Sequence, residues 1–295
     1  MKMQKIILYY VFTPLSDPVA IKLWQNSLAR SLSLKGRIIV SRQGLNATLG
    51  GEMGNLKTYI KETKNYPSFK GAIFKWSDGV ADDFPRLSVK LRDELVSFKS
   101  PKDINVTVNG IIGGGKRIRP SELHDLIKNN TNDVVFVDGR NKQEAAIGRF
   151  KNAVVFDVNH TRDFLEEIDK PKYSSLKEKT VVTYCTGGIR CEVLSKLLID
   201  AGYKDVYQLD GGIITYLDQY KDQGLWEGSL YVFDRRQSIK ASPNAKTIGI
   251  CSYCSDPTER YINCSNSQCN ELILACQKCA PKSSECVNCL TTLNR

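Results

Sequence analysis

Cys185 ends the apolar run TVVTY and opens the stretch CTGGIR, in which Thr186, Gly187, Gly188 and Ile189 separate it from Arg190. A strand that turns through glycines into a helix aims backbone N–H groups and the positive end of the helix dipole at whatever the turn encloses. A cysteine at the head of such a turn is held as thiolate, the form that attacks electrophiles, and Arg190 adds a fixed cation at the rim. Gly187 and Gly188 let the backbone curl that tightly. Cys191, six residues on at the start of the predicted helix CEVLSKLLIDAG, either resolves an oxidised sulfur on Cys185 or packs as a small residue of the first turn.

The cradle is one residue shorter than that of cysteine phosphatases. It is too narrow for a tetrahedral phosphate and suits a persulfide sulfur.

Eight further cysteines form the pairs CSYC, CSNSQC, CQKC and CVNC, with nine, six and six residues between successive pairs. Close pairs of this kind belong to metal rather than to disulfides. Eight thiolates fill two tetrahedral zinc sites and leave no open position, so their expected role is structural. Sequential pairing joins Cys251, Cys254, Cys264 and Cys269, leaving Cys276, Cys279, Cys286 and Cys289 for the second site. Cross-braced pairing joins Cys251 and Cys254 to Cys276 and Cys279. Spacing is compatible with both, and with reduced, metal-free cysteines.

The elements that carry these groups follow from periodicity. With 295 residues and 41% hydrophobic content the chain reads as two or three domains. In residues 1–100, IILYYVF is strand-like, and Ile21, Trp24, Leu28 and Leu32 recur at helical spacing. GRIIV and NATLG flank the turn SRQGL, NLKTYIKETKNY reads as a second helix, and AIFKWS and RLSVKLRDELVSF as further strands. The order βαββαβ predicts a ferredoxin-like α+β domain. Residues 101–120, glycine-rich, basic and bounded by prolines, read as an exposed linker. Residues 121–225 predict an α/β domain with a mostly parallel sheet built from DVVFVDGR, AVVFDV, TVVTY and DVYQL. Such sheets bind ligands beyond the carboxyl ends of their strands, where Cys185 lies. Residues 226–295 form a cysteine-rich, zinc-type tail.

Charge is unevenly distributed. Residues 1–130 hold 21 Lys+Arg against 11 Asp+Glu, residues 131–225 hold 13 against 15, and residues 226–295 hold 8 against 6. The whole formal excess of +10 therefore sits in the first segment, which suggests a polyanionic partner. Arg42 and Asn46 in the SRQGLNAT turn, and Lys116, Arg117 and Arg119 in the linker, are the candidate RNA contacts, though solvated surface charge has the same composition. No run approaches the roughly 18 apolar residues of a membrane span. The short run Ile6 to Phe12 lacks a signal-type cleavage site, so the expectation is a soluble, cytoplasmic protein without membrane contact.

Asp138, Arg140 and Glu144 after one strand, Cys185 to Arg190 in the loop, and Gly211 with Gly212 after the last strand together resemble the rhodanese domain. A basic ferredoxin-like domain with RQGLNAT, the sequence YCTGGIRCE and a cysteine-rich tail resemble, over essentially the whole chain, the rhodanese-domain tRNA uridine hydroxylases. The resemblance implies oxygen-dependent conversion of the tRNA wobble uridine 34 to 5-hydroxyuridine, with tRNA as partner and molecular oxygen as co-substrate. Asp138 and Arg140 take supporting roles. Arg149 after Gly148, and Gly139 between Asp138 and Arg140, depart from the family pattern without touching the loop.

No flavin or NAD motif is present, since GGGKR lacks the GxGxxG spacing. The two histidines, His124 and His160, lie in different segments and argue against a two-histidine, one-carboxylate iron site. The chemistry therefore falls on Cys185, as nucleophile or persulfide carrier. Two other classes stay open: a thiosulfate or persulfide sulfurtransferase, and an RNA-binding adaptor that senses redox state. Intact Cys185 and Arg190 argue against the adaptor, while the basic segment and the tail argue against a minimal sulfurtransferase. The sequence is silent on oligomeric state.

Overall fold

The computed structural model describes residues 3–100, 103–129, 133–281, 285, 286 and 289. The chain opens with β1 (Gln4–Phe12), α1 (Pro18–Ser31), β2 (Lys35–Ser41), β3 (Gly44–Glu52), α2 (Met53–Asn65), β4 (Lys75–Ser77) and β5 (Leu87–Leu91), whose strands form one sheet in the order β4-β1-β3-β2-β5. Asp17 starts α1 by accepting a hydrogen bond from the Ala20 N–H, with Pro18 in the first turn, where its missing donor costs nothing. Alternation along the strands sends Ile7, Tyr9, Ile38, Val40, Leu45, Ala47 and Leu49 to one face, where Ile21, Ala29, Leu56 and Tyr59 of the two helices cover them. Phe12, with Tyr10 and Ile39, faces the other way and packs against the core of the second domain.

The predicted linker contributes structure of its own. Val106–Thr107 (β6) and Gly110–Ile111 (β7) form a small hairpin, and Lys116–Ile118 (β8) pairs in parallel with a strand of the next sheet. Its glycines serve close packing: the Gly115 N–H donates to Ser195 Oγ at 2.8 Å, and a Cβ on Gly115 would lie 2.8 Å from the Ser195 Cβ. Charged residues are normal on an edge strand, which is why KRI read as linker.

The second unit runs α3 (Pro120–Asn129), β9 (Val134–Asp138), α4 (Lys142–Ala146), β10 (Gly148–Phe150), β11 (Val154–Val155), α5 (Phe164–Glu167), β12 (Thr180–Tyr184), α6 (Ile189–Asp200), β13 (Asp205–Leu209) and α7 (Gly212–Tyr220). Its sheet has the order β11-β9-β12-β13-β8 and is parallel throughout. Beyond it, β14 (Trp226–Tyr231) pairs antiparallel with β10 and with β15 (Ser238–Lys240), tying the start of the tail to the central domain. Gly148 and Gly228 make that approach possible, because a Cβ on either would meet backbone at 2.0 to 2.2 Å. A last hairpin, β16 (Tyr261–Asn263) with β17 (Leu272–Leu274), carries the cysteine loops. Among the described residues no helix is long and apolar enough to cross a membrane.

Candidate active site

Cys185 follows the last residue of β12, and α6 begins at Ile189, two residues earlier than the sequence suggested. The early start is set by Gly188, whose φ of 98° lets it turn the chain and cap the helix. The Gly188 N–H donates to the Cys185 sulfur at 3.2 Å. Glycines of the closing turn complete the cradle. Gly211 and Gly212 both have positive φ, and a Cβ on Gly212 would lie 2.5 Å from the Cys185 carbonyl oxygen. The Ile213 and Ile214 N–H groups at the start of α7 take the Cys185 and Thr186 carbonyls at 2.9 and 3.1 Å. These bonds turn the loop's carbonyl oxygens away from the sulfur and leave its N–H groups facing in.

The Cys185 side chain is fully buried. Burial alone would raise its pKa, but a hydrogen bond from the Cys191 thiol, the Arg190 charge and the backbone N–H groups of Cys191 and Arg190 outweigh that and bring it down to about 5. Burial, reinforced by the neighbouring thiolate, pushes Cys191 well up, so it remains the protonated donor. The pair is thus a thiolate and its thiol donor.

Arg190 is itself held. Its two terminal nitrogens meet the Glu144 carboxylate at 2.5 and 2.8 Å, in a buried bidentate pair. Glu144 stands on α4, whose start it closes by accepting from the Asn141 N–H. Asp138 and Arg140 lie beneath, fully buried and paired. Arg140 also donates to the Glu144 and Gly148 carbonyls, and the Tyr184 hydroxyl donates to Asp138 at 2.8 Å. They brace the residue before Cys185 and the segment bearing Glu144, and act on the sulfur only through those neighbours. Thr186 faces Arg190 across 3.4 Å, and the ring of Phe233, 59% exposed, lies 5.9 Å from the Arg190 guanidinium.

The N-terminal sheet caps the loop, which no sequence signal disclosed. The Lys75 ammonium donates to the Gly187 carbonyl, and Leu8 packs so closely that a Cβ on Gly187 would sit 2.6 Å from its methyl. Tyr10 donates to Glu192 at 2.9 Å, and Arg117 holds the same carboxylate. Burial lowers the Lys75 pKa, against the pull of the Cys185 thiolate, Asp210 and Glu192. β4 is three residues long and KWS has no special pattern, so Lys75 became visible only through the fold.

The RNA candidates separate. Arg42 is exposed in the turn, whereas Asn46 lies inside β3 rather than on the turn. Lys116 is paired with Asp205, Arg117 with Glu192 and Asp210, and Arg119 with Glu122. Ion pairing within the protein offsets the charge these three would offer phosphate; the strand β8 places Lys116 and Arg117 beside their partners, while Arg119 meets Glu122 across the first turn of α3.

The tail cysteines gather as Cys251, Cys254, Cys276 and Cys279, and as Cys264, Cys269, Cys286 and Cys289, with ligand atoms in each group within 4.8 Å of one another. This is the cross-braced arrangement. Sulfur pairs Cys254–Cys276 and Cys269–Cys286 stand 3.6 Å apart, and Cys264–Cys289 3.8 Å. A tetrahedron with metal–sulfur bonds of about 2.3 Å has edges of roughly 3.8 Å, so both clusters are sized for zinc. Backbone N–H groups of Cys276 and Cys286 donate to Cys251 and Cys264, each at 3.3 Å, which steadies a thiolate ligand in each cluster. Among the described residues no other group of three or more His, Cys, Asp or Glu side chains converges in this way. His124 instead bonds the Tyr216 hydroxyl at 2.9 Å.

Comparison with known proteins gives three matched family models: a UPF0176 acylphosphatase like domain over residues 4–95, a rhodanese-like domain over 119–218 and a rhodanase C-terminal domain over 227–292. The chain is 55% identical over 292 residues, 98% of both chains, to a protein of Pseudarthrobacter chlorophenolicus named tRNA uridine(34) hydroxylase. Proteins of the same name from Arthrobacter sp. (strain FB24) and Kocuria rhizophila are each 54% identical over 292 residues, covering 98% of this chain and 98% and 99% of theirs.

Proposed function

The chain belongs to the tRNA uridine(34) hydroxylase family, and from that premise we propose that it converts uridine 34 of tRNA to 5-hydroxyuridine with Cys185 as the reacting group and dioxygen as co-substrate. The observation that carries the assignment to Cys185 is its environment: a sulfur held as thiolate by inward N–H groups, by the Cys191 thiol and by Arg190. The thiolate adds to C6 of the uracil, forming a C–S bond and moving the C5–C6 electron pair onto C5 and O4. C5 then bonds to one oxygen atom of dioxygen. Two electrons and two protons from a dithiol-class reductant, with a third proton from solvent, cleave the O–O bond of the resulting peroxide anion, leaving the C5 hydroxyl and water. Loss of the C5 proton and departure of the Cys185 thiolate restore the double bond. Arg190, fixed by Glu144, keeps the sulfur ionised before attack and stabilises it again on departure, and Phe233 offers the base a ring to stack on at the rim.

Full burial of Cys185 favours a second form of the same reaction, with a persulfide as the reacting sulfur. An added sulfur extends the reactive atom by about 2 Å, toward the opening of the loop. Each tail cluster holds one structural zinc ion, and the enzyme works where tRNA is, in the cytoplasm. The test is nucleoside analysis of tRNA treated with purified protein. Wild type is expected to produce 5-hydroxyuridine and Cys185→Ala none; full hydroxylation by Cys185→Ala would remove both sulfur forms. A thiosulfate:cyanide assay run alongside separates this activity from simple sulfur transfer.

A further inference from the structure

The strand register of the N-terminal sheet puts Lys75, Leu8, Thr48, Arg37 and Ser88 in one row across all five strands. Tyr10, Asn46, Ile39 and Lys90 form the next row. Directly opposed residues project to the same side, and this is the side away from α1 and α2. The inner end of the rows meets the cysteine loop: Lys75 on the Gly187 carbonyl, Leu8 against Gly187, and Tyr10 on Glu192 at the start of α6. At the outer end Arg37 and Lys90 are exposed, and neither has an ion-pair partner among the described residues. Between them the half-buried Asn46 and Thr48 make no side-chain hydrogen bond to another described residue. At about 4.8 Å per strand, the first row is roughly 19 Å long.

Each row thus carries one exposed cation without an ion-pair partner among the described residues and one half-buried polar side chain, with Ile39 and Tyr10 of the second row packed on the second domain and the first row ending at the cysteine loop. Two such cations and two polar groups leading toward a nucleophile fit a single-stranded polyanion. RNA loops are read this way, splayed over a sheet face with phosphates held by basic side chains. We propose that this face is the track along which the anticodon-loop strand reaches Cys185, with Arg37 and Lys90 on its phosphates, Asn46 and Thr48 on sugar or base edges, and Lys75 at the inner end beside the reacting nucleotide. The track rests on the reading that tRNA is the substrate, and it replaces Lys116, Arg117 and Arg119 as the main phosphate contacts.

Titrating full-length protein with tRNA at several salt concentrations tests it. The double variant Arg37→Ala/Lys90→Ala is compared with Lys57→Ala/Lys61→Ala, which removes equal charge from α2 on the covered face. Loss of two phosphate contacts is expected to weaken binding about tenfold and to reduce the slope of log affinity against log salt by about 1.5 to 2. KM should rise with kcat held at saturating tRNA. The α2 variant should bind like wild type, and alkylation of Cys185 by iodoacetamide should be unchanged in both, reporting an intact loop. Wild-type affinity and slope in the Arg37/Lys90 variant, or equal weakening in the α2 variant, would overturn the track. If tRNA binding falls as expected but the wild-type enzyme forms no 5-hydroxyuridine, the track stands and the hydroxylase reading fails.

Discussion

Cys185 and the tail cysteines bring the same atom into opposite surroundings. The loop keeps one sulfur charged with N–H donors, a neighbouring thiol and an arginine, all within a short stretch after a strand and all buried. The tail gathers four sulfurs twice, from segments up to 28 residues apart, with several of them at the surface. Thiolates crowded to 3.6 Å repel unless a cation lies between them, so the tail clusters suit a metal ion, while the loop suits the reaction proposed for it. What a cysteine does is thus decided by the charges that compensate it.

The comparison is broken most sharply by substitution. Cys185→Ala is expected to abolish 5-hydroxyuridine formation, read by nucleoside analysis, while leaving metal content and thermal unfolding at wild-type values. Cys276→Ser should do the reverse: metal content measured by emission spectroscopy falls from two ions per chain toward one, and the tail loses protection against proteolysis. Binding energies of structural zinc on the order of 10 kcal/mol make that loss large. Alkylation of Cys185 should continue at the wild-type rate in this variant.

A smaller effect is expected at Glu144. Glu144→Gln leaves Arg190 buried without its counter-charge, which costs about 3 to 5 kcal/mol, seen as a lowered denaturation midpoint. pH supplies the finest test. With the Cys185 pKa near 5, its alkylation rate should be flat at neutral pH and fall as acidification through pH 5 protonates the sulfur. Arg190→Met removes a stabilising charge and should move that midpoint upward. Cys191→Ala removes the hydrogen-bond donor that lowers it most and should move it upward by more. A midpoint that stayed put in both variants would mean that backbone N–H groups alone hold the thiolate.

Among the features read from sequence, the cysteine loop, the βαββαβ order and the parallel sheet all depend on short-range pattern. TVVTYCTGGIR is contiguous, and strand and helix periods repeat within a dozen residues. The KRI segment failed that reading because an edge strand carries charge as a linker does. Asn46 was assigned to a turn because Gly and Asn serve both turns and strands, and its place on the outward row emerged only from register.

By itself, then, the sequence pointed to a thiolate at Cys185 and set eight cysteines in four close pairs. Only the tertiary structure decided that the first pair joins the third and the second the fourth, that Glu144 fixes Arg190 from 46 residues away, and that Leu8, Tyr10 and Lys75 cap the loop. Periodicity records which side of an element is buried, while the identity of the element packed against that side depends on long-range contacts that leave no local mark.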